Sequence, residues 1–170
     1  VIVNCHPVIA RIRSNVASTQ PLAMEDMKEF LEEKYRHYSG SFFIESDPVS
    51  IPHRFSKKED REIAGFLAAT ISWGQRKTIL ANAAKLLEWM DNDPHRFLLN
   101  YRRGDLEPFK TFVHRTFNGT DCVFFLERLA TLYRDGEGLE KLFSTKQGEG
   151  IKSAISKARF RFFDGRYPAR

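Results

Sequence analysis

The sequence predicts an all-α protein, a single-domain helical bundle, and three observations carry that prediction. Between residues 56 and 90, two apolar stripes at helical spacing are joined by a short polar corner. Stripes of the same period recur down to Phe162, punctuated by Gly and Pro, and no apolar–polar alternation runs for a useful strand length. The 170 residues are one domain's worth, enough to bury a core without staples, and 42% hydrophobic and 29% charged content is ordinary for a soluble globular protein.

Residues 1–23 have no acidic side chain and no clean period, so they read as a poorly packed N-terminal extension. The helical domain is expected over 24–170. Glu25 and Asp26 open its first helix, Met27, Phe30, Leu31, Tyr35 and Tyr38 give that helix a face, and Ser39-Gly40 stops it. Residues 41–55 read as an irregular extended connection, because Asp47-Pro48 and Ile51-Pro52 place residues before proline, which avoid the helical region. Its Phe42, Phe43, Ile44, Ile51 and Phe55 are greasy enough to pin it to a core.

The central hairpin follows. Ser56 with Glu59 three residues on is a capping-box signature. Ile63, Phe66, Leu67, Thr70 and Ile71 line the first helix, expected over 56–72. Ile79, Ala83, Leu86, Leu87 and Met90 line the second, expected over 75–91. Asp93-Pro94 restarts a short helix, and Asp105 caps another faced by Leu106, Phe109, Phe112 and Val113. Asn118-Gly119 is a turn signal, with Thr120 or Asp121 as the next cap. Cys122, Phe125, Leu126, Leu129, Leu132 and Tyr133 line the helix after it. Leu139, Leu142 and Phe143 suggest a short helix, and Ile151, Ile155, Ala158 and Phe162 the last one.

The net charge of +5 sits at the ends: residues 1–23 contribute +2, residues 150–170 contribute +5, and the stretch between them is −2. A basic tail attracts phosphate backbones or simply solvates a helix face. Cys5 and Cys122 belong to no CxxC or Cys/His cluster and read as unpaired thiols in a reducing compartment. No apolar run approaches the roughly 18 residues of a membrane span, and no continuous apolar region precedes a cleavage site, so no membrane partner is expected and the expected location is cytoplasmic.

Three phrases in order, DPVSIPHRF (47–55), REIAGFLAATISWGQRK (61–77) and FVHRTFNGTD (112–121), resemble an uncharacterised bacterial family of unknown function, over about residues 24–170. Members of that family look like distant relatives of the helix-hairpin-helix DNA glycosylases, which insert residues from a similar helix–corner–helix beside the target base. The resemblance implies the helical part of that fold, a DNA partner and a link to base-excision repair. It carries over no catalytic residue: the sequence has no L-x-G-x-G hairpin, and it ends before the Asp-x-His phrase of the longer members, so it reads as a C-terminally truncated member. An apolar, exposed patch on the hairpin is expected where the longer members continue.

The candidate site is the corner, Trp73, Gly74, Gln75, Arg76 and Lys77, with the two His-Arg pairs His53-Arg54 and His114-Arg115. Arg76 and Lys77 at a helix start oppose its dipole, costing ~0.3–1 kcal/mol each unless an anion offsets them. They hold a phosphate or are solvated surface residues. Trp73 stacks on a base or plugs a gap between helices. The His-Arg pairs converge on an anion or pin loops through backbone bonds. Asp60, Glu62, Asp47 and Glu45 gather in sequence near the hairpin entry, where capping and dipole complement explain Asp60 and Glu62 without acid–base chemistry. No spacing resembles a metal site, P-loop, dinucleotide fingerprint or Ser/His/Asp order, so no metal and no cofactor is expected. A non-catalytic nucleic-acid-binding module and a helical protein-interaction domain remain open beside the glycosylase-like reading.

Overall fold

A computed structural model describes residues 24–145 and 148–163. The expectations for residues 1–23, Cys5 and the cations Arg166 and Arg170 lie outside the described residues. The chain divides into two compact units between Asp47 and Pro48. The described residues are all-α apart from one pair of two-residue strands.

The first unit holds α1 (Met24–Ser39) and α2 (Ser41–Ser46). Acidic residues open α1 and Arg36 and His37 close it, each matching the helix dipole. The predicted apolar stripe forms, and all five of its side chains, Met27, Phe30, Leu31, Tyr35 and Tyr38, are exposed. Tyr38 meets Phe43 edge-on at 5.7 Å, tying the two helices together.

The second unit begins with α3 (Ser50–His53). The irregular connection expected over 41–55 is therefore replaced by two short helices. Pro52 falls in the first turn of α3, where a missing N–H costs nothing, and Ile51 before it is helical rather than extended; Asp47, before Pro48, is extended as expected and closes α2. Ile51 is fully buried and Phe55 packs against the core, so this part of the segment is pinned as expected, while Phe42 on α2 is exposed.

The hairpin is α4 (Lys58–Thr70) and α5 (Arg76–Glu88), each shorter than the sequence pattern suggested. Ser56 does not cap: the helix begins two residues after it, Lys57 holds the cap position, and no side chain bonds the first amides. Ile63, Leu67, Ile71, Ile79, Ala83, Leu86, Leu87 and Met90 are buried as expected. Phe66 is only partly buried, between Phe125 at 6.0 Å and Phe162 at 5.3 Å.

In α6 (Pro94–Asn100), Pro takes the first helical position as read, but Asp93 does not cap with its side chain. Asp60, 4% exposed, reaches across from α4 and accepts the His95 N–H at 2.9 Å. Asp93 instead pairs with Arg96 at 2.9 Å and faces Lys57 at 3.7 Å. A 3-10 turn (Arg103–Leu106) leads into α7 (Glu107–Lys110); Asp105 lies inside that turn and accepts the Arg102 N–H rather than capping a longer helix.

Strands β1 (Val113–His114) and β2 (Phe117–Asn118) pair antiparallel, with His114 opposite Phe117. Arg115, at φ +57°, makes the tight reversal between them. Asn118 then caps α8 (Gly119–Arg134), in place of the expected Thr120 or Asp121: its Oδ1 accepts the Thr120 and Asp121 amides, and Asp121 returns the bond to the Asn118 N–H at 3.0 Å. The buried side of α8, from Cys122 to Tyr133, packs against α6 and α7. Short α9 (Gly138–Leu142) and α10 (Ile151–Phe163) complete the unit. Ala154, Ala158 and Phe162 face inward, and Arg128 donates to the Arg161 and Phe162 carbonyls at the end of α10.

The apolar patch expected on the hairpin is not there. Among the described residues, Trp73 is the hairpin's exposed large hydrophobic side chain. The others in this unit fall elsewhere, chiefly on Phe143, Ile151, Ile155 and Phe160, because the hairpin's apolar faces are spent on α3, α6 and α9 and, through Phe66, on Phe125 of α8.

Candidate nucleic-acid interface

The corner between α4 and α5 is built by short-range hydrogen bonds that stop one helix and release the next. Thr70 and Ser72 hydroxyls donate back to the Phe66 and Ala68 carbonyls, at 2.8 and 2.6 Å, and the Trp73 N–H donates to the Ile71 carbonyl at 2.8 Å. Gly74 then takes φ +124°, a conformation open to Gly and strained for any other residue. Gln75 is extended, makes no side-chain cap, and leaves α5 to start with Arg76 and Lys77 and no acid in its first turn. The first turn of α5 thus sets two cations beside the amides of a helix start.

The β1–β2 hairpin carries the second His-Arg pair onto this corner. His114 is 2% exposed and sits between the corner and α5. Its Nε2 lies 3.1 Å from the Trp73 carbonyl oxygen and its Nδ1 lies 2.8 Å from the Asn82 amide nitrogen. Its ring meets Trp73 edge-on at 6.4 Å. Arg115 holds its guanidinium 5.2 Å from the centre of the Trp73 ring, within cation–π range. A side chain at position 74 would meet Arg115 Cδ and Nη1 at 3.3 Å, so Gly74 is also what lets Arg115 approach. Trp73 itself is 40% exposed.

The structure brings Trp73, Gly74, His114 and Arg115 into contact, with Gln75, Arg76 and Lys77 following directly in the exposed first turn of α5. It places His53 and Arg54 elsewhere, exposed at the end of α3. The adjoining Pro52 sits over Gly65, in the middle of α4 and not at its corner end. Asn82 is the participant that the sequence pattern left out. Its signal was present: an amide at 82 follows Ile79 and precedes Leu86 on the core-facing stripe of a helix, a polar residue where an apolar one belongs.

The other polar residues near the hairpin have structural employment. Asp60 caps α6, and Glu62 accepts the Tyr133 hydroxyl at 2.8 Å. On α10, Lys157 pairs with Glu149 and Arg161 with Glu137, so part of the basic tail is already neutralised locally. Among the described residues, no group of three or more His, Cys, Asp or Glu is placed to hold a metal, and no helix is long and apolar enough to cross a membrane.

No curated protein and no solved structure matches the chain. A family model described as a protein of unknown function, DUF2400, matches residues 47–170 and opens where the second compact unit begins. That match spans well over half of the sequence and contains the whole corner, so the chain belongs to the DUF2400 family.

Proposed function

We propose that this protein binds nucleic acid, with DNA as the partner, through the α4–α5 corner. The observation that supports the reading is the pairing of a 40% exposed Trp73 with the Arg115 guanidinium over its ring, beside a helix start that carries Arg76 and Lys77. A base needs an aromatic or guanidinium plane to stack on, and its phosphate needs cations and backbone amides close by. The corner offers all of these within one short stretch and the hairpin docked on it. The sequence pI of about 9.3 favours the same class of partner. Within this reading, the narrower function is a relative of the base-excision glycosylases, in which the corner contacts DNA beside the target base; a non-catalytic binding module uses the same surface without turnover.

Reversing Arg76→Glu together with Lys77→Glu tests the proposal, with affinity for single-stranded and duplex DNA measured at two salt concentrations. The double variant is expected to bind more weakly and to flatten the slope of log K against log salt by about 0.7–0.9 for each phosphate it no longer neutralises. Trp73→Ala is expected to cost ~1–3 kcal/mol of binding where the ring stacks on a base. Unchanged affinity and unchanged slope in a folded double variant remove the corner from the binding site. Base release from a panel of damaged duplexes separates the glycosylase reading from the binding module. A helical protein-interaction domain is the second reading, favoured by the exposed apolar face of α1, and it gains if DNA binding is absent at low salt.

A further inference from the structure

We infer that His114 and Asn82 are positioning residues for the Trp73–Arg115 pair, acting through one hydrogen bond whose direction the geometry fixes; this rests on the nucleic-acid reading of the corner. A carbonyl oxygen only accepts. Nε2 of His114, 3.1 Å from the Trp73 carbonyl, therefore carries a proton and donates it. On the other side of the ring, the Asn82 amide nitrogen lies 2.8 Å from Nδ1, and an amide nitrogen only donates, so Nδ1 is the acceptor. The two contacts together place a proton on Nε2 and the acceptor lone pair on Nδ1. Asn82 selects the tautomer, and the tautomer holds the Trp73 carbonyl.

That carbonyl is the last backbone acceptor before Gly74, whose φ of +124° gives the chain its freest joint in the corner. Fixing it fixes the plane of the peptide that leads into the helix start. The same imidazole belongs to the residue before Arg115, whose φ of +57° turns its side chain back over the Trp73 ring. One buried ring, 2% exposed, thus ties the aromatic plane, the guanidinium and the α5 amides into a single orientation. The sequence separations are 41 residues to Trp73 and 32 to Asn82, so the ring bridges the β1–β2 hairpin to both the corner and α5. Preorganisation of this kind is what turns exposed stacking and charge into binding, because the groups are not ordered anew by each ligand.

The test uses the whole chain and two conservative variants that divide the imidazole between them. His114→Gln keeps an N–H donor near the Nε2 position and gives up the acceptor to Asn82. His114→Asn keeps a group near Nδ1 and gives up the donation to Trp73. Nitrogen-15 shifts of His114 in the unmodified protein are expected to show a protonated Nε2 and an unprotonated Nδ1; an Nε2 without a proton overturns the inference. Binding of a fluorescent single-stranded oligonucleotide is expected to stay within about twofold in the Gln variant and to weaken about tenfold in the Asn variant, the equivalent of one hydrogen bond removed. Equal loss or equal retention in two folded variants overturns it. The indole N–H resonance of Trp73, assigned by Trp73→Phe, gives a readout free of ligand: it is expected to hold its position in the Gln variant and to move in the Asn variant. If the unmodified protein binds neither single-stranded nor duplex oligonucleotide, the proposed function fails, and the indole resonance still decides whether His114 positions the corner.

Discussion

Burial pushes the Cys122 thiol up from its ordinary 9.0 to about 12, and the neighbouring Asp121 carboxylate adds to the effect. Burial, then the bond to Glu62, likewise raises the Tyr133 hydroxyl well above its ordinary 10.0. Both groups are favoured in their neutral, protonated forms by the fold. Their contribution to stability is complete below the unfolded-state values and is lost as pH rises above them toward the folded ones. Stability is therefore expected to fall from about pH 9 upward, by up to ~1.4 kcal/mol per pH unit for each group between its two values. Denaturant melts between pH 8 and 11 check this, and Cys122→Ala is expected to make the decline shallower. An identical pH profile in that variant would remove Cys122 as a cause. Trp73, His114 and Arg115 stood out in the sequence because they are chemically capable residues beside Gly or turn signals. The sequence grouped the corner with both His-Arg pairs; which pair meets it was not legible, since that depends on how a six-residue hairpin docks across a separation of 41 residues.

Helix ends, not helix faces, are where the elements departed from their sequence pattern. The stripes of α4, α5 and α8 predicted their buried sides well, because helical period is a property of neighbours in the chain. Two caps differ from the sequence pattern: Asp60 reaches α6 from another helix, and Asn118, a turn signal in the sequence, caps α8 in place of its neighbours Thr120 and Asp121. The start of α8 also carries the tightest glycine contact among the described residues. A Cβ on Gly119 would lie 1.9 Å from the Lys110 carbonyl oxygen and 2.4 Å from its carbon, both backbone atoms that cannot swing aside. Gly119→Ala is therefore expected to part α7 from α8 and to destabilise the fold by on the order of 3 kcal/mol. Gly104→Ala is the control: its added carbon meets nothing within 4 Å, and a change within about 0.5 kcal/mol is expected. Equal melting temperatures for the two variants would show that the α7–α8 approach yields more easily than its geometry implies.

At the level of the whole molecule, the buried hydrophobic core starts at Ile51 and ends at Phe162, so every described side chain in it belongs to the second unit. The family match begins at residue 47, at the boundary between the units. A domain starting near Met24 was a natural reading of the sequence, because α1 has a well-formed apolar stripe and a clean stop at Ser39-Gly40. A stripe shows that a helix forms; it does not show what its face is buried against, and here the five side chains are exposed. Stability follows apolar area removed from water, and the described side chains of residues 24–47 include none that is fully buried. Residues 48–170 alone are therefore expected to fold, to keep the helical signal of α3 to α10, and to melt within about 2 °C of the whole chain, since a loss of even 1 kcal/mol would move the midpoint by several degrees at this size. Thermal melts of the two proteins under one set of conditions decide it. A drop well beyond that margin would show that the first 47 residues stabilise the core from outside it, and the exposed face of α1 would be the first place to look for how.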